Sequence, residues 1–341
     1  MSKNKEESKR GAVGGQAVIE GVMMKSKDSV AIAVRRESGE IVKKLKPFKT
    51  VRDKHKILNI PVLRGIINFI EMMKMAMSTL NESAEMLGLE DEAEKPKETE
   101  KPEKAEKAKS DSKAMIAAAS VIGTILGLAL SFGLFFFLPT FIGTQIISVT
   151  PFERGGLFIS MTEGILRLAI FVAYILLVTL IPDIKRTFQY HGAEHMSVFC
   201  YEDEKELTVE NVRNYSRFHP RCGTSFMIVM MLIGIIISTF IPDFTNEYYG
   251  FSSTAAFWLR LGVKLSIFPF VIGIGFEFIK YAGKHDSVIV KILSAPGLWT
   301  QWLTTKKPDD KQLEVAVVSL RTALKIDAAE AENAEIIHNV Q

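Results

Sequence analysis

Four apolar runs separated by charged segments restrict this chain more than any other feature. Ala114 to Leu138 is long and uncharged, and Leu157 to Ile181 carries only Glu163 and Arg167. Phe226 to Ile241 is slightly short and uncharged, and Leu261 to Ile279 contains Lys264, Pro269 and Glu277. A helix needs about 20 apolar residues to cross a bilayer, and it satisfies its own backbone polar groups there, so the runs are expected to be four transmembrane helices. Glu163 and Arg167 stand four apart near one end of their run, where they can neutralise each other or snorkel. Thr140 to Thr162 carries only Arg154, and Pro242 to Trp258 has no Lys or Arg, whereas Lys185, Arg186, Lys205, Arg213, Arg217 and Arg221 lie between the second and third runs. The positive-inside rule then places that segment and both termini in the cytosol. The expected class is an α-helical, multi-pass protein of the cell inner (plasma) membrane, N-in and C-in, whose first partner is the lipid bilayer.

The remainder divides by composition. Residues 1–10 are polar and charged, without the apolar core of a signal peptide, and read as a disordered N-terminus. Residues 11–56 read as a small cytosolic β-module, with β-type runs at Ser29 to Arg36 and Glu40 to Lys43 and a hairpin turn at Ser38-Gly39. The paired glycines of Gly14-Gly15-Gln16-Ala17-Val18-Ile19-Glu20-Gly21-Val22-Met23-Met24 imply a tight turn or a close backbone approach. Gln16 and Glu20 are expected either at the edge of the β-module or as polar groups reaching a site. Gly14-Gly15-Gln16 also matches the tripeptide that release factors use on peptidyl-tRNA, but three residues weigh little against a structural turn, and a net charge of +3 gives no reason to expect nucleic acid.

In residues 57–88, Arg64, Asn68, Glu71, Lys74 and Ser78 form a narrow polar stripe on an otherwise apolar helix. It is expected to lie in the membrane interface, because crossing would take Arg64, Glu71 and Lys74 into hydrocarbon. Residues 89–113, a Lys/Glu/Pro/Ala tract, read as a disordered linker. The four-helix membrane domain then covers 114–282, with a cytosolic His-rich loop at 183–225. In the cytosolic C-terminal region, 283–326, Trp299 and Trp302 suit an interface, and Asp309-Asp310 starts a helix with Leu313, Ala316, Val317, Leu320 and Leu324 on one face. That face is expected to pack on the β-module or on a cytosolic protein partner, and 327–341 reads as a frayed tail. Cys200 and Cys222 are too few for a disulfide framework and read as reduced thiols.

The His-rich segment carries the chemistry. In Tyr190-His191-Gly192-Ala193-Glu194-His195, the two imidazoles share a helical face one turn apart, with Glu194 beside them. This is the inverted zinc-hydrolase pattern, H-x-x-E-H, in which two His bind metal and the carboxylate works on water. Further on, His219-Pro220-Arg221-Cys222-Gly223 adds another imidazole and a thiol. Glu277, in the last turn of the fourth run, reaches the same end of the membrane, and an intramembrane carboxylate is costly enough to suggest function. The metal-ligand candidates are therefore His191, His195, His219, Cys222 and Glu277. Glu194 is the candidate base, and Gln16, Glu20 and Arg221 are further site candidates.

Three readings are open at this stage. His191, His195 and one of Glu277, His219 or Cys222 hold Zn²⁺ or another divalent transition metal, leaving a position for a water that Glu194 activates. Alternatively, His191, His195, His219 and Cys222 close a structural tetrahedral site. In a metal-free version, His191 and Glu194 are a hydrogen-bonded pair on a soluble helix. Cys200 reads as a small buried residue, and His55 and His285 as solvated.

The glycine-rich segment from Gly14 to Met24, the motif from Tyr190 to His195, and His219-Pro220-Arg221-Cys222-Gly223-Thr224-Ser225-Phe226 occur in one order that resembles the YqhQ-type family of bacterial membrane proteins. The resemblance covers about residues 11–88 and 114–326. It implies a bacterial plasma-membrane protein of a family classed as a domain of unknown function and as a predicted metal-dependent enzyme, and it supplies no substrate. Two functions follow: a membrane metallohydrolase acting on a peptide or lipid-linked substrate at the cytosolic face, or a non-enzymatic scaffold that recruits a cytosolic partner. A transporter built on Lys264 and Glu277 is less suited to four spans without repeats.

Overall fold

The computed structural model describes residues 11–88, 122–149, 156–241, 250–282, 285 and 287–327. The expected polar N-terminus, the charged linker, the start of the first apolar run and the tail beyond 327 lie outside them. The chain forms two compact units, one from residues up to 87, 175–230 and 272 onward, the other from 88–174 and 231–271.

The first unit is organised on an antiparallel sheet of four strands in sequence order, β1 (Gly14–Val18), β2 (Gly21–Lys25), β3 (Ser29–Arg35) and β4 (Ile41–Pro47). The expected hairpin joins β3 to β4, with Val34 opposite Val42 and Gly39 at φ 88°. The glycine-rich segment is itself a hairpin, β1 to β2, whose register sets Val18 against Gly21. Strand periodicity sorts the apolar side chains onto two faces. Val22, Met24, Ala31 and Ala33 join a core with Tyr190, Ala193, Leu313, Ala316 and Leu320. Val18, Met23, Val30, Ile32 and Val34 form a second core with Met86.

Both faces are therefore covered. Helix α1 (Leu63–Leu87) covers one, and its Ser83 hydroxyl accepts a hydrogen bond from the Ile19 N–H at 3.2 Å. The other face takes the C-terminal helix (Asp310–Ala323), which starts in a capping box between Asp309 and Gln312. The alanines of β3 bring it close enough for Ser319 Oγ to donate to the Val22 carbonyl at 2.9 Å. The apolar face expected to seek the β-module or a partner is thus satisfied within the chain.

Three helices of the described residues are long and apolar enough to cross a membrane: Ile122–Gly143, Ser160–Val178 and Thr254–Ala282. The third expected span is the apolar but shorter helix Gly223–Ser238. This helical content is consistent with a multi-pass protein in a bilayer. The first of these helices contains a π-helical turn at Gly133–Phe137 and runs on past Leu138 to Val149.

The expected Glu163–Arg167 pair does not form. Arg167 instead donates to the Phe135 carbonyl at 2.7 Å. Glu163 accepts from Arg260 Nε at 3.3 Å and pairs with Lys264, and all three are buried. Arg260 and Lys264 stand one turn apart, and pairing Glu163 with its own helix would take its carboxylate from two buried cations. Gly143 makes room, since a Cβ there would lie 2.8 Å from Glu163 Cγ.

Candidate metal centre

The motif lies on one helix of the first unit, Pro182–Glu202, opened by Pro182 and with Asp183 in its first turn. His191 and His195 lie one turn apart and meet edge to face, with ring centroids 4.5 Å apart. Each ring is held at Nδ1 by a backbone carbonyl, Thr304 O at 2.9 Å from His191 and Arg217 O at 2.5 Å from His195. A carbonyl only accepts, so both Nδ1 atoms donate, and in the neutral rings the lone pairs lie on Nε2. This carbonyl-to-imidazole arrangement orients metal-ligating histidines.

His191 Nε2 lies 3.2 Å from Cys222 Sγ. The sulfur also accepts from the Thr224 N–H at 3.4 Å and lies 3.1 Å from Thr224 Oγ1. One donor atom from each of His191, His195 and Cys222 falls within 4.8 Å of the others. A tetrahedral zinc with bonds of about 2.0 Å to nitrogen and 2.3 Å to sulfur has donor–donor edges of about 3.5 Å, so small side-chain movements would suffice. Two imidazoles and one thiolate leave one coordination position open, and the residues fit the ion.

Glu194 stands outside this donor set, its Oε2 3.4 Å from His195 Nε2. Its packing, together with the Met23 carbonyl, explains one glycine of the pair. A Cβ on Gly15 would fall 2.9 Å from Glu194 Cγ, whereas Gly14 faces open space. The close backbone approach is at Gly15, in a strand and not a turn.

The turn before Cys222 is fixed from the C-terminal region. Buried Gln301 accepts the His219 N–H through Oε1 at 2.7 Å, and its Nε2 donates to the His219 carbonyl at 2.7 Å. His219 itself is buried, packs on Phe199, and lies 5.4 Å from His195 between ring centroids. It lines the wall of the cluster without joining the three donors. Arg221 pairs with Glu202, which also accepts the Gly11 N–H at 2.8 Å.

The electrostatics follow from burial and these partners. Burial pushes the Cys222 thiol up, but His191 and His195 outweigh it and hold the pKa well below the ordinary value. Burial opposes charging of His191, yet the Cys222 sulfur and Glu194 raise it to about 9. Desolvation leads in lowering His219. Glu202 resists burial through His219, Gly11 and Arg221, and falls to about 2.

Other sequence candidates lie elsewhere. Glu277 is not brought to the donors: Arg64 Nε donates to its Oε1 at 2.5 Å, so this carboxylate of a membrane-length helix is neutralised by a guanidinium. Gln16 donates to Thr79 Oγ1 at 2.7 Å, and Glu20 accepts from Arg186 and Tyr190. Cys200 is buried, and burial raises its thiol to about 11. Glu202, Gln301, Thr304 and Arg217 escaped the sequence reading. Glu202 left a signal, since it lies seven and eleven residues beyond the two His, on the same helical stripe.

Fold and site together define a helix-rich protein with membrane-length apolar helices, an N-terminal sheet, and a His/His/Cys cluster suited to a metal ion. The chain belongs to the family described as "Protein of unknown function (DUF1385)", whose model matches residues 60–326. It is 37% identical over 334 residues to "Uncharacterized protein YqhQ" of Bacillus subtilis (strain 168), covering 96% of this chain and 97% of that protein. No solved structure matches it.

Proposed function

We propose that the protein is a metal-dependent membrane hydrolase, with zinc at His191, His195 and Cys222 and its site at the cytosolic membrane face. The observation that carries this reading is the pair of Nδ1–carbonyl bonds, which fix both imidazoles with Nε2 available beside the Cys222 sulfur. A divalent cation there would supply Lewis acidity and make a water more acidic. Glu194, beside the donors, is placed to act as the general base and acid, and would take a proton from an attacking water and return it to the leaving group. Thr224 steadies the thiolate, and Gln301 holds the turn that presents it. Membrane-length helices in the same chain favour a peptide or lipid-linked substrate.

The test offers lipid-anchored peptide, ester and phosphodiester probes to the zinc-loaded full chain in liposomes. The reading expects Glu194→Gln to keep its metal and lose turnover by about 10²- to 10⁴-fold. A panel left intact by the wild type, or cleaved equally by Glu194→Gln, refutes the hydrolase and leaves the scaffold, whose metal pins the segment.

A further inference from the structure

A basin of about 890 Å³ lies in the first unit, lined by β2, the stretch after β4 and one side of α1. Its wall carries five cations, Lys25, Lys27, Lys49, Arg52 and Lys325, against three carboxylates, Asp28, Asp53 and Glu71. Two of the carboxylates are already engaged. Asp28 pairs with Lys325 at 3.4 Å, and Glu71 accepts from Thr50 Oγ1 at 2.8 Å and from the Val51 N–H at 2.7 Å. Lys25 is half-buried, with its ammonium 4.3 Å from the centroid of Phe48. Burial, then neighbouring Arg52, depresses its pKa, so the site concentrates positive charge at a cost.

We propose that this basin binds an anionic ligand through a phosphate group held in front of Lys25 and Arg52, with Phe48, Met72 and Met75 taking its apolar part. A phosphate neutralises the surplus cations and accepts charge-assisted hydrogen bonds from both donors. The volume suits a small organic phosphate. The phosphate comes from a soluble metabolite or from a lipid headgroup, and α1 favours the former. Its exposed apolar row, Ile70, Met73, Met77 and Leu80, is the face suited to lipid, while the basin meets Asn68, Glu71, Met72 and Met75, about half a turn away.

The test is calorimetric titration of the full-length protein with inorganic pyrophosphate, in nanodiscs of phosphatidylcholine and of phosphatidylglycerol. The wild type is expected to bind pyrophosphate in phosphatidylcholine, with affinity falling as salt rises. Lys25→Met and Arg52→Gln should each weaken it about tenfold or more, and His191→Ala should leave it intact, which separates this site from the metal centre. Equal binding in both nanodiscs assigns a soluble ligand, and competition by phosphatidylglycerol assigns a headgroup. Arg52 lies in the short turn Val51–Asp53, outside the sheet, so its variant keeps the test valid if Lys25→Met fails to fold. No binding in phosphatidylcholine, or binding unchanged by Arg52→Gln, overturns the proposal.

Discussion

Gly192→Ala tests whether the C-terminal region holds the first histidine. The position is in the interior of a helix, where alanine normally stabilises by about 1 kcal/mol over glycine. Here the new Cβ would sit well inside van der Waals contact of the Lys306 carbonyl oxygen and 3.4 Å from Pro308 Cδ. The carbonyl is not free to yield, because the Lys306 N–H bonds the Phe188 carbonyl at 2.8 Å and Thr304, two residues earlier, holds His191. Overpacking of this kind costs about 1–3 kcal/mol. Against the propensity gain, the net effect is a loss of up to about 2 kcal/mol in place of the usual gain. The displaced segment also carries the Thr304 carbonyl away from His191 Nδ1, and losing such an outer hydrogen bond weakens metal binding about 10- to 100-fold. Thermal unfolding in detergent reads the first effect, and zinc competition with a chromophoric chelator the second. A variant more stable than wild type, with unchanged zinc affinity, would refute the claim that residues 304–308 brace His191.

Other outcomes follow from the charged groups. Glu202→Gln strips Arg221 of its carboxylate beside the cluster and should cost about 3 kcal/mol at neutral pH. Because the Glu202 pKa is lowered to about 2, its contribution is complete above the ordinary carboxylate range and disappears as pH falls towards 2. Melting curves from pH 6 down to 3 should therefore converge for wild type and variant, and parallel curves would contradict this. Glu163→Gln leaves Arg260 and Lys264 buried without their carboxylate and should cost about 3–5 kcal/mol, with much of it recovered in Glu163→Gln/Lys264→Met. A double-mutant cycle without coupling would contradict that pairing. Zinc binding near pH 7 should release about one proton from His191, whose pKa is raised to about 9, and release less above that pH. Calorimetry in buffers of different ionisation enthalpy measures it, and no release at pH 7 would argue against the imidazolium–thiolate pair in the metal-free site.

What could be read in the sequence was local. Short β-type runs on either side of Ser38-Gly39 announced the β3–β4 hairpin, and Asp309-Asp310 with a one-sided apolar pattern announced the last helix. His191 and His195 one turn apart announced two of the donors, and spacing near the apolar helix suggested Cys222. The failures were partnerships across the chain. Glu163 and Arg167 satisfy the local i,i+4 rule, but Arg260 and Lys264, about a hundred residues away, offered Glu163 two cations. Glu277 reads as an orphaned carboxylate until Arg64 is brought beside it. The carbonyls of Thr304 and Arg217 have no side-chain signature, so no motif could reveal how the imidazoles are oriented.

The metal content of the purified full-length chain tests the account most directly. After equilibration with zinc and removal of the excess, mass spectrometry should find about one equivalent per chain in wild type and in Glu194→Gln. It should find almost none in His191→Ala or Cys222→Ala. A wild type that stays empty, or a Cys222→Ala chain that holds zinc as tightly as wild type, would contradict a centre built on His191, His195 and Cys222.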